Sequence, residues 1–128
     1  LLYSAFAGKG TIPQPRLQLQ EETAPWKDNL ISPAVAETVH RALVETLHGT
    51  GAPAAAGAVP GFTAAGKTGT AEVDTGEGNI CWYLTYGPAE SPGIVVAVVV
   101  EESSGWAVTE ALPAGRAVLE HYLRSGGD

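Results

Sequence analysis

Residues 61–72, Gly-Phe-Thr-Ala-Ala-Gly-Lys-Thr-Gly-Thr-Ala-Glu, constrain the fold most, because they fit two motifs that require different structures. Residues 61–68 match the phosphate-loop pattern Gly-x-x-x-x-Gly-Lys-Thr, which lies between a buried strand and a helix. Residues 67–70, Lys-Thr-Gly-Thr, instead suit an exposed strand, in which the two threonine side chains share one face. The flanking sequence distinguishes the two.

The flanks disfavour a phosphate loop. Residues 51–60 are rich in Gly, Pro and Ala, a composition that does not form a buried strand. Residues 73–79, Val-Asp-Thr-Gly-Glu-Gly-Asn, are typical of a turn and lack the apolar period of a helix. The apolar run 94–100 is followed by Glu101 and Glu102, acids that could hold magnesium beside a nucleotide. A phosphate-loop NTPase therefore stays as the less favoured alternative.

Three stretches with strand character follow one another along the chain. Residues 62–73 are rich in Thr, residues 80–86 are aromatic, and residues 94–100 are apolar throughout. Turn-forming residues at 74–79 and 87–93 connect them, which predicts an antiparallel meander. Because the third stretch is apolar at every position, we expect both of its faces to be covered.

Helices are predicted on both sides of this meander. Ser32 is an N-cap before Pro33, and that helix runs to about His48. Its apolar stripe is expected at Val35, Val39, Leu43 and Leu47. The C-terminal helix begins between residues 109 and 112 and ends near Arg124. Its packed face is expected to contain Leu112, Arg116, Leu119 and Leu123.

The sequence therefore predicts an α+β fold, in which a three-stranded antiparallel meander packs with a C-terminal helix and an upstream helix. A helical and connecting segment, residues 1–60, precedes a strand-strand-strand-helix segment, residues 61–128.

The chain has 128 residues and a net charge of −7, which argues against nucleic acid as a partner. Its longest apolar run is far shorter than the ~20 residues of a membrane helix.

Cysteine and histidine usage gives no metal site. Cys81 is the single cysteine, so no internal disulfide is possible, and it is expected to be a small buried residue. His40, His48 and His121 have no Cys or acidic partners at zinc spacing, so we expect them at the surface or at helix ends. We expect neither a metal nor a cofactor.

Several short motifs occur in a distinctive order. They are Gly-Lys-Gly (8–10), Pro-Arg-Leu (15–17), Ile-Ser-Pro (31–33), Gly-Thr-Gly (49–51), Gly-Lys-Thr-Gly-Thr-Ala-Glu (66–72), Trp-Tyr (82–83) and Tyr-Gly-Pro-Ala (86–89). With the Val-rich strand and the final helix, this order resembles the C-terminal part of the transpeptidase domain of class B penicillin-binding proteins. The resemblance covers nearly the whole chain and implies a partial penicillin-binding or β-lactamase-like transpeptidase fold.

The resemblance implies roles for the Lys-Thr-Gly box. Lys67 would hold a serine of a Ser-x-Asn box and add positive charge, although strand alternation requires its stem to bend around the strand edge. The Thr68 and Thr70 hydroxyls would bind a substrate carboxylate, and the Thr70 N–H would donate to the oxyanion hole. Gly69 would let a peptide lie along the strand edge as an added strand. Trp106 would border the cleft or cap the core.

Other candidates are weaker. Glu72 shares the strand phase of the threonines and is a candidate general base, although an exposed acid at a strand end is the commoner case. Trp82, Tyr83 and Tyr86 are candidates for lining a substrate groove, but aromatic residues on a central strand are usually core.

The family's nucleophile lies in a Ser-x-x-Lys box, upstream of a Ser-x-Asn box. None of the six serines here has Lys three residues later or Asn two residues later. The chain also begins with Leu1 rather than Met. We therefore expect the C-terminal half of a larger catalytic domain, which cannot form an acyl-enzyme by itself. The surface left bare by the missing N-terminal half favours self-association.

The resemblance implies that the full-length protein is a serine-type D,D-transpeptidase that needs no cofactor. It would cross-link peptidoglycan stem peptides ending in D-Ala-D-Ala and bind β-lactams. It would lie outside the cytoplasm, anchored to the bacterial membrane by a segment outside this chain. The alternative within the same fold is a catalytically silent module for binding or sensing.

Overall fold

The computed structural model describes residues 1–15, 17, 24–73 and 78–127. The chain divides into two compact units, Leu1–Ala42 and Leu43–Asp128. The predicted Pro-Arg-Leu passage falls in part outside the described residues, since Arg16 is not among them. The same holds for residues 74–77 of the turn expected between the first two strands.

The first unit contains short elements and the start of a long helix. Helix α1, Ser4–Ala7, ends at Gly8, and strand β1, Ile12–Pro13, pairs antiparallel with strand β2, Pro25–Lys27. Helix α2, Pro33–His48, has the predicted bounds. The N-cap is confirmed, because the Val35 N–H donates to Ser32 Oγ at 3.3 Å.

The apolar stripe expected along α2 is only partly correct. Leu43 and Leu47 are buried as predicted, but Val35 is 51% exposed and Ala36 is buried in its place. Ala36, Leu43 and Leu47 are spaced by seven and four residues, so they lie on one helical face, and Val35 lies beside that face.

The second unit is a sheet with helices on one side. It begins with the end of α2 and a 3₁₀ turn, Ala55–Gly57. Strands β3 (Ala65–Glu72), β4 (Asn79–Gly87) and β5 (Ile94–Ser103) follow, and then helices α3 (Ala107–Glu110) and α4 (Leu112–Ser125). The strands pair antiparallel in chain order, so β3 and β5 form the edges. Helix α4 packs on β4 and β5. The α+β fold with a three-stranded meander and a C-terminal helix is therefore confirmed.

The phosphate-loop alternative is wrong. Lys67 and Thr68 lie inside β3, and the next described element after β3 is another strand. A phosphate loop needs these residues at the start of a helix, whose backbone N–H groups would hold the phosphates.

One face of the sheet forms the core. We call it the helix face, because α4 packs on it. It carries Cys81, Tyr83 and Thr85 of β4 and Val96 and Val98 of β5. Cys81 is fully buried, as predicted. The core cluster comprises Leu47, Ala54, Val59, Ala64, Cys81, Tyr83, Val96, Ala107, Ala111, Leu112, Leu119 and Leu123. The predicted packing of the C-terminal helix against one face is confirmed.

The opposite face of the sheet, the open face, is apolar; Ala65 and Tyr86 at one end of it are buried, and much of the rest is exposed. Trp82 pairs with Val99 across the strands, and their side chains are 41% and 45% exposed, with Val95 at 37%. The expectation that both faces of the third strand are covered is therefore wrong for this chain. An all-apolar strand fits burial on two sides, but α4 covers only the helix face.

The open face predicts association between copies of the chain. We expect light scattering to give a mass above that of the monomer, rising with protein concentration, because contiguous apolar surface favours association. Val99→Lys places a charge in the middle of this face and is expected to shift the chain towards monomer. A wild-type monomer at every concentration would contradict the prediction.

Tyr83 and Tyr86 are the largest fully buried side chains among the described residues, and glycines make room for Tyr83. A Cβ at Gly57 would lie 2.4 Å from its hydroxyl oxygen, one at Gly66 3.2 Å from the same atom, and one at Gly115 2.5 Å from Cδ1. Burial raises the pKa of the Tyr83 phenol above its ordinary value, and the nearby Thr85 hydroxyl and Arg116 guanidinium offset only part of this rise.

This pKa predicts a loss of stability in alkali. As the pH rises past about 10, the unfolded chain releases the phenolic proton first, so the free energy of unfolding falls. Below about pH 10 the contribution is fully present. We expect Tyr83→Phe to remove this dependence of stability on pH. Urea unfolding measures it between pH 8 and 11, about two units below and one unit above the ordinary tyrosine pKa. Equal alkaline slopes for the two proteins would contradict the assignment.

Candidate active site

A cleft runs along the outer edge of β3. It has a volume of about 450 Å³. Its lining consists of Pro53, Lys67, Thr68, Gly69, Thr70, Trp106, Ala107 and Val108. The structure therefore brings together the five residues to which the family resemblance assigned roles, namely Lys67, Thr68, Gly69, Thr70 and Trp106.

The backbone of β3 directs hydrogen-bonding groups into this cleft. The Thr46 hydroxyl donates to the Gly66 carbonyl, so this carbonyl points away from β4. In an antiparallel pair, alternate residues direct both backbone groups to the same side. The N–H and C=O groups of Thr68 and Thr70 therefore point to the outer edge, where an extended peptide can pair with them.

Lys67 turns towards that same edge. Its Nζ donates to the carbonyl of Thr68, which lies on the outer edge. The Lys67 side chain thus bends around the edge of the strand, as expected from the alternation of side chains along β3. Lys67 is the charged residue among those that line the cleft, so it places a positive charge there that suits an anionic ligand.

The two threonines of the box are half-buried and lie on the helix face of the sheet. The Thr70 Oγ1 accepts a hydrogen bond of 3.0 Å from the Ala107 N–H. Gly69 lies between them, and a Cβ there would meet only Trp82 Cβ, at 3.9 Å. The space beside Gly69 is therefore open to a bound chain.

Trp106 lies at the rim of the cleft and is 59% exposed, so it lines the cleft and does not cap the core. The loop that carries it is fixed at Gly105. The Gly105 carbonyl accepts from Asn79 Nδ2 at 3.0 Å and from the Cys81 thiol at 3.6 Å, while the Gly105 N–H donates to Ser103 Oγ at 3.0 Å.

Sequence reasoning missed these supporting residues. Asn79 and Cys81 lie on β4, and the structural contact of each is more than 20 residues away in sequence. The Gly-Trp turn before the last helices indicated a loop, but no local pattern indicates which side chains hold it. The Ala107 N–H, 37 residues from Thr70, was missed for the same reason.

Other candidates lie outside the cleft lining. Glu72 is exposed at the end of β3, and Trp82 is on the open face. Tyr83 and Tyr86 are fully buried, so they belong to the interior. His48 Nε2 accepts from the Ala64 N–H at 3.1 Å, which gives it a structural contact at the end of α2.

Residues 1–15, 17, 24–73 and 78–127 form neither a metal site nor a membrane span. No three His, Cys, Asp or Glu side chains there are arranged to hold a metal ion. No helix in these ranges has the length and apolar character needed to cross a bilayer.

Comparison with known families identifies this fold. The model of the penicillin-binding protein transpeptidase domain matches residues 2–120. The chain therefore belongs to the penicillin-binding protein transpeptidase domain family, as the order of its motifs indicated.

Individual relatives agree with this family. The peptidoglycan D,D-transpeptidase PbpA of Mycobacterium tuberculosis is 42% identical over 77 residues, which cover 53% of this chain and 15% of that protein. The peptidoglycan D,D-transpeptidase MrdA of Haemophilus influenzae is 30% identical, over 89% of this chain and 21% of that protein. The chain thus spans about a fifth or less of these relatives.

Solved structures share the fold. Penicillin-binding protein A from M. tuberculosis, as an imipenem acyl-enzyme complex, has a TM-score of 0.77 and 30% identity over 94% of this chain and 28% of that chain. The D,D-transpeptidase domain of a peptidoglycan glycosyltransferase from Eggerthella lenta has a TM-score of 0.77 and 28% identity, over 96% of this chain and 30% of that chain.

Proposed function

We propose that this chain forms one wall of the active site of a serine D,D-transpeptidase that cross-links peptidoglycan. The observation that carries the proposal is the cleft along the outer edge of β3. It combines backbone groups that point outward, two threonines and the Lys67 ammonium. Family membership and the D,D-transpeptidase relatives support it. The chain would be the C-terminal portion of the domain, with the nucleophile in the portion before it.

The reaction is an acyl transfer in two steps. A serine Oγ outside this chain attacks the carbonyl of the penultimate D-alanine of a stem peptide, and the bond to the terminal D-alanine breaks. The terminal residue leaves with a proton on its nitrogen. An amine of a second stem peptide then attacks the acyl-enzyme ester, and the serine recovers its proton.

Each residue of the wall has a role in this reaction. The Thr70 N–H, on the outer edge, donates to the oxyanion of the tetrahedral intermediate. The Thr68 and Thr70 hydroxyls bind the terminal carboxylate, and Lys67 adds positive charge and holds a serine of the proton-transfer network. The peptide lies along β3 beside Gly69, and Trp106 covers one side of it.

A β-lactam would enter the same cleft, because it carries both an acylating carbonyl and a carboxylate. The imipenem acyl-enzyme of the M. tuberculosis relative supports this substrate class. Since stem peptides are cross-linked outside the cytoplasm, the cleft would work there, with the whole protein anchored to the membrane by a segment outside this chain.

A fluorescent penicillin tests the proposed function. We expect it to label the whole protein that carries this chain, and we expect mass spectrometry to find no adduct on the 128-residue chain itself. No serine of the chain has the Lys or Asn partners that would activate it. An adduct on the isolated chain would overturn the role given to it. A whole protein that binds penicillin without becoming labelled would favour the silent binding module.

A further inference from the structure

We propose that the backbone N–H of Ala107 is a positioning group, which fixes the Thr70 hydroxyl as a hydrogen-bond donor to the substrate carboxylate. The proposal rests on the proposed function. It adds a part of the site that lies on the last helices of the chain, beyond the Lys-Thr-Gly box.

The argument starts from the chemistry of a hydroxyl. A threonine hydroxyl has one proton to donate and two lone pairs to accept, and its proton rotates freely unless a neighbour restricts it. The Ala107 N–H occupies one lone pair of Thr70 Oγ1 at 3.0 Å. The hydroxyl proton must then point elsewhere, and the cleft lies on the accessible side of Thr70.

A carboxylate accepts hydrogen bonds and donates none, so it needs this orientation. The bond from Ala107 therefore sets Thr70 up for an anionic partner before the substrate arrives. It also holds Oγ1 in one side-chain rotamer. Such preorganisation lowers the cost of ordering the site at the moment of binding.

Ala107 can make this bond without a loss to its own helix. It is the first residue of α3, after the N-cap Trp106, and the first N–H groups of a helix have no partner within the helix. Ala107 is only 2% exposed, so water competes little for its N–H.

The preceding loop fixes the position of this N–H. Gly105 is held on one side by Asn79 and Cys81 of β4 and on the other by Ser103 of β5. Because β4 is also the partner strand of β3, the donor and the acceptor are fixed to the same sheet. The distance between Ala107 and Thr70 is thus set by the core of the second unit.

Ala107→Pro removes the N–H, and its ring Cδ, which takes the place of the hydrogen, also displaces the Thr70 Oγ1 that lies 3.0 Å from the nitrogen. The backbone before the helix can accept the proline. Proline is favoured at the first position of a helix, and it requires an extended residue before it. Trp106 is already extended, with φ −111° and ψ 153°. We expect acylation of the whole protein by penicillin to slow by at least about 2- to 12-fold, the range of one neutral hydrogen bond.

Double variants separate positioning from a general structural effect. The loss caused by Ala107→Pro is expected to disappear in a Thr70→Val background, where no hydroxyl remains to be oriented, and to persist in a Thr68→Val background. It is also expected to disappear when the β-lactam carboxylate is esterified. An equal loss on the ester, or in the Thr70→Val background, would overturn the proposal.

Amide hydrogen exchange tests the bond itself in the 128-residue chain, independently of catalysis. We expect the Ala107 amide to exchange faster in Thr70→Val and at the wild-type rate in Thr70→Ser, which keeps the hydroxyl. Equal exchange in wild type and Thr70→Val would overturn the bond. If penicillin failed to acylate the wild-type whole protein, the proposed function would fall and the positioning role with it, whatever the exchange rates.

Discussion

Lys67→Ala is expected to slow the acylation of the whole protein by penicillin about 100- to 1000-fold, the cost of losing one preorganised donor from an acyl-transfer site. Lys67 supplies the charge of the cleft, and its ammonium already lies at the outer edge of β3. Its loss removes positive charge from the place where, in the proposed function, the substrate anion binds and a proton is transferred. Stopped-flow measurement of acylation gives the rate directly.

Thr70→Val is the matched comparison, because it removes a hydroxyl from the same strand and keeps the Thr70 N–H. Its cost should be smaller, about 10- to 150-fold, as for a hydrogen bond to a charged group. The two variants should also differ in selectivity, since Thr70→Val should spare a β-lactam whose carboxylate is esterified. Wild-type acylation by Lys67→Ala would contradict the assignment of the whole box, and an equal loss on the ester would contradict the role of Thr70.

The order of the longer elements could be predicted because it depends on local signals. Turn residues separate the strands, Ser32 and Pro33 begin a helix, and Pro113 is tolerated only in the first turn of the last helix. The candidate site could be predicted for the same reason, since Lys67 to Thr70 are consecutive residues of one strand. Alternation along that strand predicted which side chains share a face.

Contacts between distant segments could not be predicted in this way. Val99 and Val98 are identical residues, and only the position of α4 decides that Val99 is exposed. The bond between Ala107 and Thr70 and the contact of Cys81 with Gly105 depend on how the last loop packs against the sheet. The apolar pattern of the sequence indicates which residues can be buried, while the packing of the whole unit decides which of them are buried.

Gly115→Ala is expected to destabilise this chain by about 1–3 kcal/mol, the usual cost of overpacking a core. In an ordinary helix interior the same change stabilises by roughly 1 kcal/mol, so even the sign is informative. Here the new Cβ would lie 2.5 Å from Tyr83 Cδ1 and 3.3 Å from Val98 Cγ2. The ring cannot retreat, because Gly57 closes the space at its hydroxyl end. Urea unfolding of the isolated chain measures the change.

Gly69→Ala is the matched control in the same protein. Its Cβ would meet only Trp82 Cβ at 3.9 Å, an ordinary contact, so the free energy of unfolding should stay within about 0.5 kcal/mol of wild type. Tyr83→Leu replaces the ring with a smaller side chain. In that background Gly115→Ala should lower the free energy of unfolding by less than in the wild type, because the two residues are in contact and their effects couple. If Gly115→Ala instead raised the unfolding free energy, as in an exposed helix, Tyr83 would not be held between the sheet and α4, and the packing that supports the Thr70 side of the cleft would be different from the one described.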